Sequence, residues 1–185
     1  MNKSWEHFKL ICKHKKYVFK MCKQVGIMKQ GLFHDLSKFS PTEFFESAKF
    51  FSGDRSPIDN CKEKNGYSLA WFHHRGRNKH HWEYWVDNFE KGTQPTLMPF
   101  KYALEMLCDY IGAGMAYQGD KFTYESEYEW WLKKRKVVVM HPVVWRFIDA
   151  ILHDLAVVPT TLNYTYCENI YNYYLKLFNE GKLEK

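Results

Sequence analysis

Apolar positions recur along this chain at helical spacing. Between residues 4 and 25, Trp5, Phe8, Ile11, Val18 and Met21 fall on one stripe, which predicts an amphipathic helix ended by Gly26. Residues 30–38 predict a short second helix. Ser40-Pro41-Thr42-Glu43 is a helix start, with Ser as N-cap, Pro at the first helical position and Glu at the third, opening a helix to about Phe51. The polar stretch 52–66, rich in Gly, Pro and Asn, predicts a loop long enough to be a lid or an entrance rim. Helix returns at Tyr67–His74, Arg75–Asn78 reads as a turn, His80–Phe89 as a further short helix and Gly92–Thr96 as a loop. Leu97–Tyr117 is the longest apolar helix, followed by helices over 125–135, 142–156 and Tyr166–Phe178. Val137-Val138-Val139 is the strand candidate. The expected class is all-α: one compact helical domain over 1–185, with a core over about 7–156 and a C-terminal helical extension over 157–185.

Composition sharpens this picture in three ways. The chain has 185 residues, 45% hydrophobic and 18% aromatic, enough for a sizeable core built from large rings. A net charge of +6 favours anionic partners. Because the basic residues are scattered, a small phosphorylated substrate is expected before nucleic acid; the run Lys133–Lys136 reads as a solvated helix face. Cys12, Cys22, Cys61, Cys108 and Cys167 show no CxxC spacing, and Met1–Lys16 has no apolar stretch of signal-peptide kind, so a reducing cytoplasm (the host cytosol for a phage-encoded chain) is expected. No window approaches 18 uninterrupted apolar residues, so no membrane span is expected. The Tyr-rich C-terminal helix is open as a cap on the bundle or a dimer contact.

Candidate chemistry lies in the nine histidines. His34-Asp35, inside GLFHDLSKF, joins an imidazole to a carboxylate, donors that suit Mn, Fe, Co, Ni and Zn. On a helix the two side chains diverge by about 100°, so they can pinch one ion or let Asp35 bridge two. Lys38 shares their face and could hold a substrate phosphate. A second pair, His153-Asp154, reads as structural. His14 lies on the preceding helix, with His7 as its rival. His73-His74 and His80-His81 flank a turn; His74 is favoured over His73, and at least one of His80 and His81 as a ligand. Asp109 sits in the apolar helix LEMLCDYIGAG, where a carboxylate is costly to bury unless paired or metal-bound, and Glu105 shares its face one turn earlier. Arg75 and Arg77 stand beside the His cluster as phosphate clamps. Trp82 and Trp85 read as core.

The order His14, His34-Asp35, His74, His80/His81, Asp109 resembles the HD-domain superfamily of metal-dependent phosphohydrolases. The phrases HKKYV, SPTEF, AWFHH, NKHHWEYW and EMLCDYIGAG also resemble an uncharacterised family of bacteria and their phages, over roughly residues 7–150. The resemblance implies a helical bundle around one or two divalent ions and hydrolysis of phosphate esters, often of nucleotides. It implies His14, His34, Asp35 and Asp109 around a first ion, and His74 with His80 or His81 around a second, Asp35 bridging. Lys38 matches a phosphate-contacting Lys of the cyclic-dinucleotide-cleaving branch. Trp82 separates His81 from Glu83, however, and no Gly-Tyr-Pro follows, both departures from that branch. The expected reaction is attack by a metal-activated hydroxide on phosphorus, with Asp35, Lys38 and Glu83 as catalytic residues and Lys38, Arg75 and Arg77 on the phosphate. A di-iron oxygenase built from the same donors, and a non-catalytic binder of a nucleotide or signalling molecule, are the alternatives.

Overall fold

In the computed structural model, which describes residues 2–158 and 161–183, the Asn2 side chain accepts from the N–H groups of Ser4 and Trp5 and starts the first helix. That helix, α1 (Lys3–Gln24), buries His7, Ile11, His14, Val18, Met21 and Cys22. Two histidines thus lie on the apolar stripe itself. It is followed by α2 (Met28–Phe33), a 3₁₀ turn (Leu36–Phe39) and α3 (Pro41–Phe50), whose N-cap Ser40 accepts from Glu43 N–H as expected. Next come α4 (Pro57–Asn65), α5 (Leu69–Arg77) and a 3₁₀ turn (Trp82–Trp85). An antiparallel hairpin of β1 (Val86–Phe89) and β2 (Gly92–Pro95) pairs Val86 with Pro95 and Phe89 with Gly92. The chain then runs through α6 (Phe100–Gln118), α7 (Tyr124–Lys134), α8 (Pro142–Val157) and α9 (Tyr164–Asn179). The all-α class holds.

α6 is the central element. Ten of its residues are buried, from Ala103 to Ala116. α1 packs along one side of it; α7, α8 and α9 pack on the other, while α2 and α3 attach to α1, and α3 carries α4 and α5. One hydrophobic core runs from Val18 of α1 through Trp131 of α7 and Phe147 of α8 to Tyr171 of α9. Trp131 Nε1 and Arg135 both donate to Asp149, joining α7 to α8. The Tyr171 hydroxyl donates to the Met98 carbonyl at 2.6 Å, tying the C-terminal helix to the segment that leads into α6. Among the described residues no helix is long and apolar enough to cross a membrane.

Several local expectations are corrected. The 52–66 stretch contains α4: Pro57 occupies its first turn and Gly66, at φ +80°, ends it in the left-handed conformation. Those start and stop signals were present, but α4 buries only Pro57 and Cys61, so it lacks the apolar stripe that announces a helix. α5 continues through Arg77 instead of turning at Arg75. His80–Phe89 is not a helix; it is a 3₁₀ turn leading into the hairpin, whose exposed polar strands carry almost no alternation. Val137–Val139 forms no strand; Val137 and Val139 are exposed and Val138 packs partly buried against the core, and the one sheet among the described residues is the β1–β2 hairpin.

Close approach of α1 to α6 depends on Gly112. A Cβ at that position would lie 2.5 Å from Val18 Cγ2 and 2.9 Å from the Val18 backbone nitrogen, so the helices themselves would have to separate. Gly112→Ala is therefore expected to destabilise the protein by about 1–3 kcal/mol through overpacking. Gly76→Ala, where a Cβ would meet nothing within 4 Å, should leave the melting temperature unchanged or raise it. Thermal unfolding followed by circular dichroism compares the two; equal melting temperatures would remove the special role of the α1–α6 seam.

Candidate metal centre

The site forms where the second helix breaks. α2 stops at Phe33, and His34 already leaves helical backbone, with ψ 129°. Asp35 has φ +54° and ψ +26°, the one positive φ at a non-glycine among the described residues. That conformation costs energy for a residue with a Cβ, and Asp is among the few that tolerate it. His34 and Asp35 thus do not share a continuous helix, as the sequence suggested. The break turns the Asp35 carboxylate inward. Lys15 of α1 donates to the His34 carbonyl, fixing the break from outside. Lys38, one 3₁₀ turn on, places its ammonium 2.6 Å from Asp35 Oδ2.

Two donor sets meet on the two oxygens of Asp35. Oδ2 lies 3.4 Å from His14 Nε2 and 3.3 Å from His34 Nε2. Asp109 Oδ1 completes that set, 3.1 Å from His14 Nε2 and 3.2 Å from His34 Nε2. Oδ1 lies 3.3 Å from His74 Nε2 and 3.3 Å from His80 Nε2, and His81 Nε2 is 2.8 Å from His74 Nε2. Within each set of four the donor atoms lie within 4.8 Å of one another, so each could hold a metal ion. His14 comes from α1, Asp109 from α6, His74 from α5 and His80 and His81 from the turn after it. All seven ligands expected from sequence converge.

Chemistry of the donors fits an ion better than mutual hydrogen bonding. Among the described residues Asp35 Oδ1, His14 Nε2 and His80 Nε2 are buried and take no hydrogen bond despite lying 3.1–3.4 Å from their neighbours, and Asp35 Oδ2 is answered by the Lys38 ammonium alone. Unpaired buried polar atoms are costly, and a cation held among them removes that cost.

The opposite nitrogens are held by carboxylates. Glu105 Oε1 faces His34 Nδ1 at 3.0 Å and His80 Nδ1 at 3.2 Å, so one carboxylate orients a ligand from each set. Glu43 Oε2 faces His74 Nδ1 at 2.7 Å, and its other oxygen faces His73 at 2.6 Å. Each Nδ1 beside a carboxylate carries the proton, which leaves the Nε2 lone pair free for a metal. His34, His80 and Glu105 also form a cluster with metal-like spacing. Because those Nδ1 atoms already answer Glu105, it is a hydrogen-bonded support and not a third site. The sequence reading took Glu43 as a helix-start residue; its N–H does meet Ser40, but its carboxylate serves the histidines.

Burial opposes every charge here, and the neighbours overcome it. Asp35 is held well below the usual carboxylate range by His34, Lys38 and His74. Asp109 is held down likewise by His14 and His34, and hydrogen bonds from His34 and His80 pull Glu105 to about 2. His34 rises well above its ordinary value, against its own desolvation, through Asp35, Asp109 and Glu105. Asp35 and Asp109 push Lys38 up to about 12. Burial and the charges of His80 and His74 press His81 well below its ordinary value, keeping it neutral as a ligand must be.

Three cavities adjoin the cluster. One of 480 Å³ is open and lined by His34, Arg77, His80 and Glu105. Of the two deeper ones, the larger, 430 Å³, is walled by His81, Glu83, Tyr110, Glu127 and Trp130; the smaller, 190 Å³, by His7, His14, Lys38 and Asp109. Arg77 lines the open cavity beside His34 and His80 and reaches the His73 carbonyl, whereas Arg75 lies over the Phe72 ring. Trp82, read as core, packs against the core and also lines the larger deep cavity. His7, the rival of His14, packs against Phe44 and Phe51, and burial lowers it to about 4. His153 and Asp154 are far from the cluster, where Asp154 accepts from Tyr166. His141 caps α8.

The chain belongs to the family described as a family of unknown function, DUF5662, whose match covers residues 3–154. No curated protein and no solved structure matches it.

Protons and a metal compete for the same nitrogens. Since His34 keeps its proton above the ordinary imidazole value of about 6.5, metal affinity should keep climbing with pH through and beyond that point, with net proton release. Calorimetric titration with Zn²⁺ or Mn²⁺ in two buffers of different ionisation enthalpy measures this; identical heats would mean that no proton leaves. Glu105→Gln should weaken binding about 10–100-fold, in a chelator competition, by loosening a histidine in each set.

Proposed function

We propose that this protein is a metal-dependent phosphohydrolase acting on a small phosphorylated substrate, a nucleotide or related phosphoester. The observation that carries the reading is the arrangement around Asp35: each of its oxygens faces a separate donor set, and Lys38 stands against the oxygen shared with His14 and His34. Two divalent ions drawn from Mn, Fe, Co, Ni and Zn suit these nitrogen and oxygen donors. When bound, such a pair lowers the pKa of a water toward about 7, supplying hydroxide at neutral pH, and polarises a phosphoryl oxygen.

The rest is done by the chain. Asp35, with His14, His34 and Asp109 on one side and His74, His80 and His81 on the other, fixes the centre. Lys38, charged at any physiological pH, stands at the open side of Asp35 and neutralises charge developing on the phosphoryl oxygens. Glu83 is raised above the usual carboxylate range by burial, against the pull of Lys134, Lys62 and Arg75, and lies in the same cavity wall as His81. A carboxyl that keeps its proton longer than usual suits a general acid for the leaving oxygen. The order of ligands along the chain, similar to that of HD-domain phosphohydrolases, supports the same reading.

Elemental analysis with a nucleotide-phosphatase screen tests it. Wild type should carry one or two transition-metal ions per chain and release phosphate. Asp35→Asn, which keeps a residue tolerant of positive φ, should lose both metal and activity. Lys38→Ala should keep its metal and lose activity by about 10²–10³-fold, as expected when one stabilising donor is removed. Full activity in Asp35→Asn would end the proposal. Two irons with dioxygen uptake and no phosphate release would replace hydrolysis by oxygenase chemistry.

A further inference from the structure

The larger deep cavity contains more than the proposed reaction requires. At its metal side stand His81 and Glu83. Along α6, about 6–7.5 Å from Asp109 at 1.5 Å per residue, it reaches Ala113 and Gly114, and there Glu127 of α7 enters it. Glu127 is 2% exposed, and among the described residues its carboxylate has neither a hydrogen bond nor an ion pair. It fits only because position 114 is glycine: a Cβ there would stand 1.9 Å from Glu127 Oε2. The surrounding walls are the rings of Trp71, Trp82, Tyr110 and Trp130, with Tyr110 and Trp130 edge to face at 5.2 Å.

Burial and the nearby Asp109 push the Glu127 carboxyl up to about 8, so near neutral pH it keeps its proton and offers one donor beside one acceptor inside an aromatic enclosure. Leaving such a group unpaired is costly, so a ligand that pairs it gains selectivity over one that does not. We propose that Glu127 is a specificity-determining residue for a planar nucleobase whose edge sets an N–H beside an acceptor and pairs both with the Glu127 carboxyl while its faces lie against the tryptophan walls. This rests on the phosphohydrolase reading for the position of the phosphate, but not for the pocket itself.

Acidic and aromatic walls also suit an organic cation, and the structure weighs against that occupant. Lys62 and Lys134 line the same cavity, and the Lys62 ammonium already lies 4.5 Å over the Trp71 ring. A second cation would meet like charge and find one aromatic face taken. A neutral ring with N–H donors does not meet the like charge, and Trp82 and Trp130 line the cavity besides Trp71. A cavity of 430 Å³ lies within the range of small-molecule sites.

Phosphate-free nucleosides and metal-free protein separate the pocket from the reaction. Equilibrium dialysis with adenosine, cytidine, uridine, purine riboside and choline should show at least one of the first three binding tenfold or more tightly than purine riboside, whose base has no N–H, and choline not binding. Glu127→Leu, which removes both the donor and the acceptor, should remove at least tenfold of that preference, while Glu127→Gln, which offers the same pair, should keep most of it. Trp130→Ala, at a partly exposed ring, should weaken all the nucleosides together. Equal binding of purine riboside, preference for choline, absence of nucleoside binding, or an unchanged preference in Glu127→Leu would each overturn the assignment. Nucleoside selectivity that depends on Glu127 in a protein releasing no phosphate would leave the pocket standing and end the hydrolase.

Discussion

Asp35 is completely buried, ionised and set in a left-handed backbone conformation, three conditions that each cost free energy. Burial of a lone carboxylate would raise its pKa until it took up a proton. Here the opposite happens, because Lys38 and a ring of imidazoles surround it. The remaining architecture is arranged to keep that carboxylate where it is. α2 is short because the chain must turn at His34; Lys15 holds the turn; α1 and α6 press together through Gly112 so that His14 and Asp109 arrive on the same side of the carboxylate.

Glu43 and Glu105 extend the arrangement outward by one step. A histidine can present its Nε2 lone pair steadily only if the other nitrogen is engaged, and these two acids engage three of the ligand histidines. The centre is therefore a lattice of alternating acid and imidazole. Charge is balanced locally, which is how four carboxylates come to lie within one small region of an otherwise basic protein. Removing any one member leaves an uncompensated group in a place where water cannot reach it.

Much of this was legible in the sequence, and the reason is periodicity. α1, α6 and α8 carry strong apolar stripes, and His14 and Asp109 interrupt two of those stripes with groups that do not belong in a core unless something answers them. The His34-Asp35 pair and the His-rich segment at 73–81 supplied the rest of the donors. Legibility failed where burial was slight or where a residue acts through its tertiary neighbours. α4 and the hairpin hide few side chains, so no stripe or alternation marks them. Glu43 had a sufficient local explanation at a helix start. Glu127 looks like any acid in the first turn of α7, and only its seat against Gly114 distinguishes it. Arg75 was close in sequence to the ligands but lies over Phe72, while Arg77 does line a cavity with His34 and His80.

His14 leaves the ribosome long before Asp109, and the donors between them arrive in several instalments. No two consecutive elements contain a complete set. The set of Asp35, His74, His80 and His81 is complete in the chain before α6 is made, whereas the set around His14 and His34 waits for Asp109. An ion held by the second of these would therefore be gripped only once α6 has closed on α1, so the two halves of the centre would differ in when they could first discriminate among metals.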